Sequence, residues 1–307
     1  MLNDLTVQNY RGFQDLHIDN LAQVNLIVGM NNSGKTSLLE AIYLLVNQDD
    51  LQRSLVEFIQ NRNENKLFKL SADVNQFKFP RLLNEIRNLF YGFQSKINCK
   101  IYIHSQHEHN LSFTIQKNLD HQNLNQDGFE IICSEGSDTA TTINFNADGT
   151  NIKQGNLSPL QKKPSLLLAN SNLNLQQLSE LWNNILLTPK ENKVVSALQI
   201  LEPSVRRIGF TNSLNNHSGV LIKLDAYPEP IPLISMGDGM RHILTIAMAS
   251  VTVENGFLLV DEIETGLYYE AQTDMWRFIF EIAKELNVQV FATTHSWDCI
   301  NIIYQKS

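Results

Sequence analysis

A chain of 307 residues with 43% hydrophobic content can bury a substantial core, as one large domain or as two lobes. Its 24 basic against 32 acidic residues exclude a broad, non-specific nucleic-acid binder, because neutralising phosphates needs clustered Lys and Arg; the short pairs Lys162-Lys163 and Arg206-Arg207 read as solvated surface charge. Cys99, Cys133 and Cys299 lack metal-ligand or C-x-x-C spacing, no secretory segment opens the chain and no apolar run approaches the ~18 residues of a membrane span, so reduced thiols in a soluble, cytoplasmic protein are expected.

Leu5, Val7, Phe13, Leu16 and Ile18 alternate with polar residues around Tyr10-Arg11-Gly12, which predicts a hairpin. Val24–Val28 reads as a buried parallel strand, followed by a Gly-bounded loop and a helix over Ser37–Leu45. Residues 50–95 read as helices with a polar break, Pro80 starting the one that runs through Leu82, Ile86 and Phe90. From Ile97 to Asn151 short alternating strands predict an antiparallel β insertion. Residues 164–201 read as helical, with Leu178, Leu181, Trp182 and Ile185 on one face and Val194, Val195, Leu198 and Leu201 on another. Pro189 stands near a helix start and Pro203 beyond an end. The last hundred residues alternate: strands 205–211 and 219–226, a helix from 238, strand 257–261, helix 270–286, strand 288–293.

Gly29-Met30-Asn31-Asn32-Ser33-Gly34-Lys35-Thr36 satisfies the P-loop pattern G-x-x-x-x-G-K-[ST], between an apolar strand and an amphipathic helix. Its glycines allow a turn whose N–H groups converge on phosphate oxygens at a helix N-terminus. ATP phosphates are thus expected against Asn31, Asn32, Ser33, Gly34, Lys35, Thr36 and Ser37. Lys35 would reach the β- and γ-phosphates, and the Thr36 hydroxyl would serve Mg2+. Phe257-Leu258-Leu259-Val260-Asp261-Glu262 is an apolar strand ending in two acids. Paired with a P-loop, Asp261 reads as the Walker B acid for Mg2+ and Glu262 as the residue that orients or deprotonates the attacking water. A third apolar strand ends at His295, placed for a γ-phosphate contact. Ser235-Met236-Gly237 opens an apolar helix and can offer a second phosphate site.

These four elements in this order resemble the ATPase heads of the ABC superfamily in its RecF/SMC-like branch, above all the ATPase domain of OLD-family (overcoming lysogenization defect) proteins. Asn9-Tyr10-Arg11-Gly12-Phe13 is similar to a segment that lies beside the nucleotide in that branch, which implies a nucleotide contact for Arg11. Asp261 to Leu267 resembles the Walker B strand with its D-loop, and Ala292 to Ser296 the switch-histidine strand. The resemblance covers about 1–47 and 178–300. It implies an α/β P-loop NTPase fold with a mixed central sheet, an N-terminal β segment and an α+β insertion. Residues 1–307 would be one ATPase domain: a nucleotide-binding core of 1–50 and 200–307, an insertion of 51–160 and a helical lobe of 161–200. It further implies a homodimer closing head to tail on ATP, Ser235 and Gly237 touching the γ-phosphate held by the other subunit.

Two departures stand out. The signature reads S-M-G-D-G rather than L-S-G-G-Q, and Tyr268 replaces the histidine common after Gly-Leu. The expected function is a regulatory ATPase controlling an effector in DNA repair or anti-phage defence. Only twelve residues follow His295, too few for the Toprim nuclease usual in OLD-family chains, so a nuclease is expected either as a separate chain or in a part of the protein outside these residues, and the effector is expected to be a separate nuclease or toxin-like protein. Long coiled-coil arms are not expected, because heptads are missing. Alternatives are a RecF-like DNA-binding ATPase and, less favoured, an ABC transporter ATP-binding subunit.

Overall fold

The computed structural model describes residues 1–47, 86–93, 99–106, 111–119, 127–135, 139–145, 163–169, 173–211 and 219–304. They fall into two compact units. One holds Met1–Ala22 and Asn32–Lys162, the other Gln23–Asn31 and Lys163–Ser307. The chain crosses from one to the other inside the P-loop sequence, between Asn31 and Asn32.

The first unit starts with β1 (Leu5–Tyr10) and β2 (Phe13–Ile18), an antiparallel hairpin whose last pair, Tyr10 with Phe13, leaves Arg11-Gly12 as the turn. Strand β3 (Val24–Val28) belongs to the other unit. After it come α1 (Lys35–Val46), β4 (Lys100–Ser105), β5 (Leu111–Leu119), β6 (Asp127–Glu135) and β7 (Thr139–Phe145). β1 pairs with β4, and the order β2-β1-β4-β5-β6-β7 makes one antiparallel sheet. Period-2 patterning puts Val7, Ile103 and Phe113 in one cross-strand row, and Ile101, Ile115 and Ile131 in the next, all fully buried. Leu38, Leu39, Ile42, Leu44 and Leu45 of α1 are buried, and the helix packs on β4 and β5. Each such side chain contributes about 1.5–3 kcal/mol on burial.

The predicted β insertion is therefore a meander, and it shares a sheet with the N-terminal hairpin. No sequence pattern announced that pairing. Of the helical reading over 50–95, Ile86–Phe93 is described, and the rest lies outside the described residues.

The second unit contains β8 (Ser165–Leu168), α2 (Leu175–Ile185), α3 (Pro189–Leu198), β9 (Val205–Thr211), β10 (Gly219–Leu224) and β11 (Ile231–Pro232). It continues with α4 (Asp238–Thr252), β12 (Phe257–Val260), α5 (Tyr269–Glu285), β13 (Gln289–Thr294) and α6 (Trp297–Tyr304). Its four-stranded sheet, ordered β3-β13-β12-β8, is parallel throughout, and β9 to β11 form a small antiparallel sheet. The fold is α/β, and among the described residues the parallel and the antiparallel strands form separate sheets.

β12 and β13 are buried at every position, as central parallel strands must be. β3 is parallel as expected, but it stands at the end of the sheet and is half-buried. The span read as a helical lobe opens with a strand instead: β8 lies in register with β12, Leu166 beside Leu258. A four-residue apolar run carries no period with which to tell a buried strand from a helix.

Caps fix the two helices after β8. Asn174 and Gln177 close a capping box on α2, while Thr188 caps α3 with Pro189 at its first turn. α4 is the centre of this unit, buried from His242 to Val251 and packed against α2, α3, α5 and β12. No described helix is long and apolar enough to cross a membrane.

Candidate active site

The parallel sheet brings three chemistry-bearing strand ends to one edge. β3, β13 and β12 all end there, since Val28 pairs with Thr294 and Val260 with Ala292. Asp261 follows β12 and is buried, its N–H donating to Leu168 O at 2.9 Å. Thr293, wholly buried on β13, donates its hydroxyl to Asp261 Oδ1 at 2.5 Å and accepts the Glu262 N–H at 2.9 Å. One hydroxyl therefore ties both acids to the neighbouring strand. Glu262 itself is held at φ 50°, a left-handed conformation that costs about 1–3 kcal/mol for a non-glycine residue and persists where surrounding structure over-determines it. Its carboxylate is half-exposed.

His295 follows β13. Its ring Nδ1 lies 3.9 Å from Glu262 Oε1 and 3.4 Å from Glu264 Oε1, and its own N–H donates to that same Glu264 oxygen at 3.2 Å. The imidazole is about half-exposed. A half-exposed ring flanked by carboxylates at the carboxyl edge of a parallel sheet is suited to meeting an anionic ligand or moving a proton.

Ser235 lies in a 3-10 turn, Leu233–Met236, just before α4 and is exposed. Gly237, at φ 89°, is the residue from which α4 starts, with no side-chain cap. The start of α4 lies directly on the turn after Walker B. A Cβ on Gly239 would stand 2.6 Å from Gly266 O, and His242 Nε2 lies 2.9 Å from Ile263 O.

In the other unit, α1 begins from Gly34 at φ 95°, with no side-chain cap and no acid in its first turn. That φ favours glycine, and an added Cβ would sit 2.9 Å from Cζ of Phe13, whose ring would have to shift. Asn32 is also left-handed, at φ 65°. Lys35, Thr36 and Ser37 form the first turn of the helix and are half-buried, while Asn31, Asn32 and Ser33 are exposed.

Arg11 takes a different position from one open to a ligand. It is buried, its guanidinium 2.9 Å from Glu40 of α1 and its Nε donating to Tyr10 Oη at 3.2 Å. Its N–H donates to Leu89 O and its carbonyl accepts from Gly92. Of the two basic pairs, Arg206 forks onto Asp225 at 2.9 and 2.5 Å, which holds the Asp225 carboxyl below its ordinary pKa, and Lys162 lies outside the described residues.

The family model described as "AAA domain, putative AbiEii toxin, Type IV TA system" matches residues 24–298. The chain belongs to this family. The matched span runs from β3, through the P-loop, past Asp261 and His295. A relative within reach of the whole chain is the protein named "ATP/GTP phosphatase" of Helicobacter pylori (strain ATCC 700392 / 26695), 24% identical over 99% of this chain and 88% of the relative. The "DNA replication and repair protein RecF" of Francisella tularensis subsp. holarctica is 30% identical over 48% of this chain, which is 39% of RecF. Among solved structures, the SMC head bound to the C-winged helix domain of ScpA superposes with a TM-score of 0.51 at 12% identity, over 98% of this chain and 91% of that one. That likeness is one of fold. This member of the AAA family is a P-loop ATPase.

Four residues with the contacts described above, Thr293 and Glu264 in one unit and Phe13 and Glu40 in the other, are not among the expected site residues, although Thr293, Glu264 and Phe13 lie inside the motif segments. A weak signal did exist for two of them. Glu264 is the second charge in Asp-Glu-Ile-Glu, a sequence entering a buried turn, and Thr293 is a hydroxyl inside an otherwise apolar strand.

Proposed function

We propose that this ATPase is a nucleotide-driven association switch, closest in kind to the OLD-family ATPase domain. Two copies close head to tail on ATP and so control a separate effector, nuclease or toxin-like, in DNA repair or anti-phage defence. The observation that carries the reading is the set at the sheet edge: Asp261 and Glu262 tied by one Thr293 hydroxyl, with His295 beside them. The family's description, which names a toxin of a toxin–antitoxin system, supports an effector output. A cytoplasmic location, where ATP is abundant, belongs to the same proposal.

The donor set suits a magnesium nucleotide. The buried Asp261 carboxylate of one unit and the Thr36 hydroxyl of the other are each, by chemistry, the kind of hard oxygen ligand such an ion takes. When bound, Mg2+ supplies neutralisation of phosphate charge. Asn31, Asn32, Ser33, Gly34, Lys35 and Ser37 bind the phosphates, Glu262 orients and deprotonates the water, and His295 meets the γ-phosphate. Ser235 and Gly237 present exposed groups at the start of α4 to the γ-phosphate of a second copy. Arg11 acts on the nucleotide site indirectly, by bracing α1 through Glu40.

Glu262→Gln keeps shape and loses the base. ATP turnover should fall at least 100-fold while ATP affinity stays within about threefold, and the variant should elute as a dimer with ATP and Mg2+ but as a monomer without. Turnover at the wild-type rate would remove Glu262 from its role; a monomer under both conditions would remove the switch.

A second reading rests on the RecF likeness: a DNA-binding ATPase. ATP-dependent binding of a DNA duplex that weakens steeply with salt would favour it.

A further inference from the structure

We propose that Glu264 is a positioning residue for the reaction: it holds His295 in place and aims its ring. This rests on the reading of His295 as the γ-phosphate contact.

Glu264 is more than nine-tenths buried, at 8% exposure, in the turn between β12 and α5. A buried carboxylate is costly unless strongly paired, so a stability role alone is a poor reason for it. Its Oε1 makes two approaches to one residue. It accepts the His295 backbone N–H at 3.2 Å, which fixes where the chain leaves β13, and it lies 3.4 Å from the ring Nδ1, which sets the rotation of the imidazole. Among the described residues its Oε2 accepts no hydrogen bond.

Glu262 also faces Nδ1, but from 3.9 Å, and it is half-exposed where Glu264 is buried. The two acids divide the work. Glu262 stands at the solvent side, available to a water, and Glu264 is the fixed anchor. With carboxylates gathered at Nδ1, Nε2 is the ring nitrogen left to reach a ligand. A third group that orients a functional histidine is the recurring arrangement in active sites. Here it also links the turn after Walker B to the end of β13, so the histidine moves when that turn moves.

The test is a double-mutant cycle on the full chain, with steady-state ATPase kinetics and thermal melting for the wild type, Glu264→Gln, His295→Ala and the pair. Glu264→Gln should lower kcat about 10- to 100-fold, the scale seen when a carboxylate orienting a metal-binding histidine is removed, with KM within twofold and the melting midpoint unchanged. In the His295→Ala background the same change should cost nothing further. Wild-type kcat for Glu264→Gln, or a loss that multiplies with that of His295→Ala, overturns the positioning role and leaves His295 standing. Wild-type kcat for His295→Ala overturns the reading of the histidine and this role with it. If Glu264→Gln melts below the assay temperature, Glu264→Asp, which keeps the charge but shortens the reach by one methylene, gives the same arms.

Discussion

Single side chains bear on what the motifs suggest. Arg11 belongs to a segment expected beside the nucleotide, yet its guanidinium is spent on Glu40, with both partners almost fully buried. Arg11→Ala removes the cation paired with a buried carboxylate, so unfolding free energy should drop by about 1–3 kcal/mol, while Arg11→Met with Glu40→Leu should recover much of it. Denaturant unfolding of the three variants decides; a loss under 1 kcal/mol for the single change would show that the pair is not structural.

Cys299 gives a second, pH-dependent case. Burial pushes its thiol from 9.0 to about 11, with the nearby Glu264 charge adding to the rise. A raised folded value means that the folded state keeps a proton the unfolded chain has lost. This stability is present in full below pH 9 and is lost as pH climbs from 9 to about 11. Wild-type protein should weaken across that window more steeply than Cys299→Ala, measured by urea midpoints at fixed pH steps. Parallel curves would refute it.

Between elements, a close backbone approach joins α4 to the turn after Asp261 and Glu262. The backbone of Gly239 approaches Gly266 so closely that a methyl group would lie 2.6 Å from a carbonyl oxygen. In an isolated helix Gly→Ala gains about 1 kcal/mol; here the clash should reverse the sign and cost about 1–3 kcal/mol, because neither backbone can step aside cheaply. Urea unfolding of Gly239→Ala measures this directly, and a stabilised variant would mean that α4 is free to slide. The contact matters because Ser235 and Gly237 ride on the same helix start.

At the scale of the molecule, the two compact units divide the P-loop sequence, Gly29 to Asn31 lying in one and Asn32 onward in the other. Asp261, Glu262 and His295 all belong to the unit that holds Ser235. If a second copy reads ATP through Ser235, then Ser235→Arg in the Glu262→Gln background should leave ATP affinity within threefold and abolish the ATP dimer. Light scattering with and without ATP reports the outcome, and a lost affinity would put Ser235 on its own copy's nucleotide.

Sequence alone determined the P-loop motif and where the acidic pair and His295 fall, at the ends of apolar strands, because each is short, contiguous chemistry bounded by an apolar strand with a readable period. It likewise determined the α/β class, β12, β13, α4 and α5, whose burial follows from their own residues. Tertiary structure decided what depends on partners distant in sequence. Arg11 meets Glu40, β1 pairs with β4, β8 joins β12 although its four residues carry no period, and Thr293 and Glu264 reach acids and histidine across a strand gap. Local pattern encodes which face of an element is apolar, whereas the partner of a buried charge or hydroxyl is set only when separate strands are laid side by side.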